Sequence, residues 1–180
     1  SVTDTDISSA ILWSIDRETG NSVQIIGGSS SVSFPDNSAP YFVRFGADNN
    51  MYISDWNLNV IYKYNTTTNV LSNYSSDTGI ANPSDMAFDL LNRTYVAHDF
   101  DRGISRIPAG GGVGQRIAGT GILDTPPDNG SPAINANLGT IAGLAIDLTM
   151  NQLYAADDEL HVIWRFDLNA NLKEFNKLAK

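Results

Sequence analysis

The stretch Met51-Tyr52-Ile53-Ser54-Asp55, followed by Val60-Ile61-Tyr62-Lys63-Tyr64, decides how this chain folds, because both runs recur. The later copies are Thr94-Tyr95-Val96-Ala97-His98 with Ile104-Ser105-Arg106-Ile107, and Leu153-Tyr154-Ala155-Ala156-Asp157 with Val162-Ile163-Trp164-Arg165-Phe166. A partial copy, Asp4-Thr5-Asp6 followed by Ile11-Leu12-Trp13-Ser14-Ile15, opens the chain. The tyrosines of the three full copies lie 43 and then 59 residues apart, and each is followed nine residues later by an isoleucine. Such regular spacing indicates a repeat protein.

Each full repeat has two further β-rich runs. One precedes the tyrosine, as in Phe42-Val43-Arg44-Phe45, and one follows the isoleucine, as in Val70-Leu71-Ser72-Asn73-Tyr74. Asn, Asp and Gly separate the runs, and these residues tolerate the left-handed backbone of tight hairpins. Four short antiparallel strands in roughly 40–45 residues are typical of a propeller blade. The sequence therefore predicts an all-β protein built of β-propeller blades. The fourth strand of the last repeat is predicted at Leu172-Lys173-Glu174-Phe175, and a helical turn within 172–180 is left open as the alternative.

The last repeat resembles the NHL family of β-propellers. The resemblance rests on Ile117-Ala118-Gly119-Thr120-Gly121, on Ala136-Asn137-Leu138, and on Gly143-Leu144-Ala145-Ile146-Asp147 leading into Leu153–Asp157. His98 departs from the pattern, since the other repeats have Asp55 and Asp157 there. The resemblance implies the fold far more than an activity, because one fold hosts many functions.

The predicted blades comprise residues 1–34 (partial), 35–78, 79–121 and 122–180. NHL propellers usually close with six blades, which requires about 260 residues at 43–45 residues per blade. With 180 residues, the chain is expected to be part of a longer protein or to be completed by other chains. An open arc would expose strand edges that recruit further strands, including those of other copies of this chain.

Composition excludes several classes of function. The formal net charge is −9, which disfavours nucleic acid and anionic membranes as partners. No apolar run reaches the roughly 18 residues of a membrane span. Cysteine is absent, so disulfides and thiolate sites are excluded. No leader is visible at Ser1, from which we expect a trimmed or partial chain.

Three residues share one register after the second strand of their repeats and are the weak metal candidates: Asp55, His98 and Asp157. A ring of carboxylates could bind Ca²⁺ through oxygen. The alternative, which the sequence favours, is that these side chains accept hydrogen bonds from turn amides. We expect no catalytic residue and no cofactor. Propeller lyases that resemble the NHL family use histidine metal ligands, which keeps a metal-dependent lyase or hydrolase as the alternative function.

N-glycosylation sequons begin at Asn65, Asn73 and Asn92, all at predicted turns or strand ends, and a fourth at Asn129 is weakened by the Pro132 that follows it. Their use would require secretion. Trp13, Tyr62 and Trp164 share one strand register and could stack on carbohydrate, but packing between blades is favoured.

The sequence thus predicts a non-catalytic, extracellular module. It would bind protein or glycan, or assemble with itself, as part of a larger protein or assembly. A structural subunit of a glycosylated filament is a further alternative.

Overall fold

Fourteen strands and a single 3-10 turn make up the described part of the chain. A computed structural model describes residues 10–75, 79–124, 130–169 and 175–178. The strands are β1 (Leu12–Ile15), β2 (Ser22–Ile26), β3 (Pro40–Phe45), β4 (Met51–Asp55), β5 (Val60–Asn65), β6 (Val70–Asn73), β7 (Pro83–Phe88), β8 (Thr94–His98), β9 (Gly103–Ile107), β10 (Gln115–Ala118), β11 (Ile141–Asp147), β12 (Gln152–Asp157), β13 (Val162–Asp167) and β14 (Phe175–Leu178), and the 3-10 turn spans Ala133–Asn135.

The strands form one two-stranded and three four-stranded antiparallel sheets. Sheet order follows chain order: β1-β2, β3-β4-β5-β6, β7-β8-β9-β10 and β11-β12-β13-β14. We call these sheets blades 1 to 4. The predicted all-β fold of four-stranded blades is confirmed. In the described residues, blade 1 consists of the equivalents of the third and fourth strands of a full blade. The Asp4-Thr5-Asp6 run of the partial copy lies outside the described residues.

Asparagine closes most of the hairpins, as the turn chemistry requires. Asn49, Asn59, Asn69, Asn92 and Asn151 all have φ between 54° and 59°. This left-handed region is costly for most side chains, and asparagine tolerates it because its short amide can bond locally. Each of these residues follows a strand and precedes the next by one or two positions. The repeated Asn positions therefore set the register of the hairpins.

Every blade has two faces that alternate along its strands. We call the side toward the preceding blade the leading face and the side toward the following blade the trailing face. Tyr52 and Ile61, on the trailing face of blade 2, pack with Met86 and Val96 of blade 3. Tyr95, Ala97 and Ile104, on the trailing face of blade 3, pack against blade 4 in the same way. Three such clusters fill the gaps between successive blades.

The end of the chain differs from one part of the prediction. The helical turn left open within 172–180 does not form over Phe175–Leu178, because this segment is a strand that pairs with β13. The sheet edge of β13 offers backbone hydrogen bonds that a short polar segment gains by extending. The run 172–175 assigned to this strand lies mostly outside the described residues, and β14 begins at its last residue.

Candidate functional site

Asp55 and Asp157, at the end of the second strand of their blades, accept hydrogen bonds from the backbone just before the first strand of the same blade. Asp55 Oδ1 accepts hydrogen bonds from the backbone N–H groups of Ala39 at 3.1 Å and Leu58 at 2.9 Å. Asp157 accepts from the N–H of Gly139 at 2.8 Å and from the Trp164 indole at 2.8 Å. The Leu58 N–H, and the Leu160 N–H that donates to Asp157 at 2.9 Å, are the turn amides that the structural interpretation expects. Ala39, Gly139 and Trp164 lie outside these turns. Asp55 Oδ2 is buried and accepts no hydrogen bond from any described residue.

His98 holds the same place in blade 3 with different chemistry. Its Nδ1 lies 3.0 Å from the backbone N of Ala81, and Nε2 is buried without a hydrogen-bond partner. The imidazole is 1% exposed. Burial is the main cause that lowers its pKa to about 4, and the nearby Arg116 charge lowers the pKa further. The ring is therefore neutral at pH 7 and accepts the hydrogen bond that the aspartates accept in the other blades.

The acidic turns next to this register are paired with basic or donor side chains. Asp99 accepts from the Trp56 indole at 3.1 Å, Asp101 pairs with Arg116, and Glu159 pairs with Arg102 at 3.2 Å. Within the described ranges, no three His, Asp or Glu side chains lie close enough together to hold a metal ion. Asp55, His98 and Asp157 are thus not brought together as one cluster.

A carboxylate that the sequence analysis missed connects three blades. Asp85, on the first strand of blade 3, is 2% exposed. Its Oδ1 lies 2.8 Å from Arg44 Nη2 of blade 2, and its Oδ2 accepts the Leu144 N–H of blade 4 at 2.9 Å. The only signal in the sequence was a charge inside an apolar strand, Pro83-Ser84-Asp85-Met86. This contact fixes the relative positions of the inner strands.

The leading face of blade 1 is apolar, and no other described part of the chain covers it. It carries Ile11, Trp13 and Ile15, which are 40%, 49% and 70% exposed. The equivalent residues of blades 2 and 4 are all buried, at 6% exposure or less: Val60, Tyr62, Tyr64, Val162, Trp164 and Phe166. Packing between blades, the favoured interpretation of the aromatic register, holds for Tyr62 and Trp164. Trp13 has the same orientation but no described blade in front of it.

The first strand of blade 2 is also exposed, because no described strand of blade 1 lies in front of it. Tyr41, Val43 and Phe45 point toward blade 1 and are 61%, 37% and 65% exposed. Met86 and Leu144, which occupy the Val43 position in blades 3 and 4, are 0% and 8% exposed. Among the described residues no strand pairs with the free edge of β1. A small cavity of about 100 Å³ lies between this edge and β3.

The trailing face of blade 4 is the opposite end of the arc. Tyr154 and Ala156 are half-buried, and Ile163 is 40% exposed. Their equivalents in blade 3 are covered by blade 4: Tyr95 at 1%, Ala97 at 0% and Ile104 at 0% exposure. The two ends of the arc therefore present the two halves of an interface that already occurs between blades.

The sequons at Asn65, Asn73 and Asn92 differ in accessibility, and the fourth, at Asn129, lies outside the described residues. Asn73, at the end of the outer strand β6, and Asn92, in the β7–β8 turn, are exposed. Asn65 is half-buried, and its side-chain oxygen accepts hydrogen bonds from the N–H groups of Thr67 and Thr68, both at 2.9 Å. Attachment of a glycan at Asn65 would disturb this turn.

No family model matches the sequence, and no curated protein matches it. Solved structures do resemble it. The selenomethionine form of virginiamycin B lyase from Staphylococcus aureus aligns with a TM-score of 0.67 at 9% identity, covering 94% of this chain and 48% of the lyase chain. A chain of a nidogen/laminin complex aligns with a TM-score of 0.67 at 17% identity, covering 93% of this chain and 56% of that one. A Bacteroides thetaiotaomicron protein of unknown function aligns with a TM-score of 0.62 at 18% identity, covering 85% and 40%.

These similarities establish the fold. The matched structures are β-propellers, and this chain spans about half the length of each. They include an enzyme as well as a component of a protein complex, so they do not decide between catalysis and binding. None of the described residues belongs to a helix with the length and apolar character needed to cross a bilayer.

Proposed function

We propose that this chain is a non-catalytic propeller module that assembles head to tail through the two ends of its arc that no described residue covers, with a second copy as its partner. The observation that carries the proposal is the mismatch in burial between equivalent positions. Trp13 is 49% exposed where Trp164 is 0% exposed, and Ile163 is 40% exposed where Ile104 is 0% exposed. Burial of such apolar side chains is the main driving force for association.

The second copy fits because each end carries a different half of the same interface. The trailing face of blade 4 has the residue pattern that receives a blade, and the leading face of blade 1 has the pattern that docks onto one. Such heterologous contacts produce rings when the rotation closes and filaments when it does not. The filament alternative is therefore an outcome of the same contact, and electron microscopy of the assembled protein distinguishes the two.

Charge opposes this association and makes it dependent on salt. Each copy carries a net charge of −9, so two copies repel each other over a distance that salt shortens. We expect association to strengthen as sodium chloride is raised from low to physiological concentration and above. An interface held together by ion pairs would weaken instead.

Two complementary variants test the contact. Trp13→Asp damages only the leading face, and Ile163→Asp damages only the trailing face. Sedimentation velocity should show association of the wild type and monomers for each variant alone. A mixture of both variants should associate again, because one retains an intact trailing face and the other an intact leading face. Circular dichroism checks that both variants are folded.

Leu90→Asp is the matched control, because Leu90 is 74% exposed in a turn that belongs to neither end. This variant should associate like the wild type. A wild type that stays monomeric at all concentrations, or a mixture that fails to associate although both variants are folded, would overturn the proposal.

We further propose NHL-type blades, secretion, and N-glycosylation at Asn73 and Asn92. The Gly119-Thr120-Gly121 turn supports the first, and the exposure of the two asparagines supports glycosylation. No metal is needed for this role. The alternative, a metal-dependent lyase or hydrolase, is favoured only by likeness to lyase structures. Elemental analysis of the purified protein and an activity screen with His98→Gln would test it.

A further inference from the structure

The inference concerns an open cleft on the trailing side of blade 3. The cleft has a volume of about 560 Å³ and is lined by Leu91, Arg93, Arg106, Pro108, Ala109, Val113 and Gln115. Clefts of this size accommodate small organic ligands. All of its lining residues belong to blade 3, so the cleft does not depend on the proposed assembly.

At the positions of blade 2 that correspond to this cleft, a carboxylate and its hydrogen-bond donors are all present. The Asp48 carboxylate there accepts three side-chain hydrogen bonds at Oδ2, from Lys63 Nζ at 2.7 Å, Asn50 Nδ2 at 2.8 Å and the Tyr52 hydroxyl at 3.0 Å. Burial acts to raise the pKa of Asp48, but these hydrogen bonds outweigh it and lower the pKa. Blade 2 thus contains an internal carboxylate held by three donors.

Blade 3 keeps a cation in this register but lacks the carboxylate. With the 43-residue spacing, Lys63 corresponds to Arg106, Asn50 to Arg93, and Asp48 to Leu91. Leucine cannot accept a hydrogen bond, and Arg106 pairs with none of the carboxylates in the described ranges. A guanidinium has five N–H donors and keeps its charge at any pH relevant here. The cleft therefore has a cation at the position where blade 2 neutralises its own.

The second arginine is held in place beside it. Arg93 Nε donates to the buried Asp89 carboxylate, which also accepts the Tyr95 hydroxyl at 3.1 Å. Asp89 lies two positions before Leu91, the residue that corresponds to Asp48. Its carboxylate oxygens already accept these hydrogen bonds and two more, from the N–H groups of Leu91 and Arg93. Arg93 and Arg106 both line the cleft, so both cations face the same space. Burial is the main cause that raises the pKa of Tyr95 to about 12, and both arginines act to lower it.

Apart from the two arginines and Gln115, the side chains that line the cleft are apolar. Leu91 and Val113 are 65% and 58% exposed, and Pro108 and Ala109 line the cleft with them. A ligand that covers these side chains gains from removing apolar surface from water. An inorganic anion would use the arginines only.

We propose that this cleft binds an organic carboxylate with an aliphatic body. The ligand carboxylate takes the place that Asp48 fills in blade 2 and is held by the guanidinium groups of Arg106 and Arg93. The aliphatic part lies against Leu91, Pro108 and Val113. Arginine suits this role because its planar fork can donate two parallel hydrogen bonds to one carboxylate.

The test uses hexanoate as the probe, titrated into ¹⁵N-labelled protein made without glycans. We expect saturable shifts at residues of the cleft with a Kd on the order of 1 mM, as befits a ligand of this size. Hexanamide has the same body without the charge and should bind at least about tenfold more weakly, since charge-assisted hydrogen bonds are roughly twice as strong as neutral ones. Inorganic phosphate should also bind more weakly than hexanoate.

Variants then assign the site. Arg106→Gln should weaken hexanoate binding at least about tenfold. Arg165→Gln is the matched control, because Arg165 has the same register in blade 4 but does not line this cleft. Leu91→Asp should abolish binding, because it supplies the internal carboxylate that blade 2 has, whereas the uncharged Leu91→Asn should retain part of it.

The proposal is overturned if hexanoate causes no saturable shifts at the cleft, or if Arg165→Gln weakens binding as much as Arg106→Gln. It is also overturned if phosphate or hexanamide binds as well as hexanoate. Thermal unfolding within a few degrees of the wild type shows that a variant is folded. Were Arg106→Gln to unfold, the Leu91→Asp and Leu91→Asn pair would decide the question.

Discussion

Replacing Asp85 by alanine is expected to destabilise the protein by about 3 kcal/mol, because this side chain connects three blades. Its Oδ1 faces Arg44 of blade 2 at 2.8 Å, and its Oδ2 accepts the N–H of Leu144 in blade 4 at 2.9 Å. The Asp85 side chain is 3% exposed, while the Arg44 side chain is 42% exposed. The two partners should therefore respond very differently to substitution.

The magnitude follows from what each partner loses. Without Asp85, the Leu144 N–H is left buried and unpaired, which costs about 1–3 kcal/mol. Arg44 can turn to water, so its share is that of a half-exposed ion pair, about 1 kcal/mol or less. Asp85→Asn keeps the shape and one acceptor oxygen and should cost about 1–2 kcal/mol. Arg44→Met should cost about 1 kcal/mol or less.

Urea unfolding at pH 7, with the two single variants and the double variant, measures these values and the coupling between the two residues. We expect Asp85→Ala to exceed Arg44→Met by at least 1 kcal/mol, by the difference between the two estimates above. If Asp85→Ala lowers the free energy of unfolding by less than about 1 kcal/mol, or by the same amount as Arg44→Met, the hydrogen bond from Leu144 to Asp85 does not stabilise the contact between blades 3 and 4.

Three further predictions concern other parts of the fold. The pKa of His98 is about 4 in the folded protein and 6.5 in the unfolded chain, so between these pH values the unfolded chain binds one more proton than the folded protein. The contribution of His98 to stability is therefore full above pH 6.5 and falls by on the order of 3 kcal/mol toward pH 4. His98→Gln should lose this pH dependence in urea titrations at several pH values. Gly119→Ala, with φ +89° and a new Cβ 2.3 Å from a backbone carbonyl oxygen, should lower the thermal midpoint much more than Gly110→Ala, where φ is +90° and no atom lies within 4 Å; equal shifts would argue against the close approach. Expression in a eukaryotic secretory pathway should add glycans at Asn73 and Asn92, and each Asn→Gln change should remove one glycan mass in intact-mass spectrometry, while an unmodified wild type would contradict glycosylation.

Much of the blade architecture could be predicted from local sequence. The second-strand runs around Tyr52, Tyr95 and Tyr154 coincide with β4, β8 and β12, and the third-strand runs coincide with β5, β9 and β13. Both follow from side-chain alternation and asparagine turns, which act over a few residues. The position of β14 in the sequence was less predictable, because its extended conformation depends on pairing with β13. Propensity in a short polar segment is too weak to decide between a strand and a helical turn.

The candidate sites were predictable only in part. The common register of Asp55 and Asp157 was visible in the sequence, and so was the choice between metal binding and turn hydrogen bonds. Asp85 was missed because its partners, Arg44 and Leu144, lie 41 and 59 residues away. The cleft at Arg106 was missed as well, because the replacement of Asp48 by Leu91 has meaning only once the pairing of the strands is known.

The sequence by itself determined the repeat, the strand order within each blade and the residues on each face, because these follow from side-chain alternation and turn chemistry within about 40 residues. Only the tertiary structure decided which of the equivalent side chains are covered. Trp13 and Trp164 occupy the same position of the repeat, yet one is half-exposed and the other is fully buried. The physical reason is that burial depends on the neighbouring blade, and a residue's own strand does not specify whether that neighbour is present.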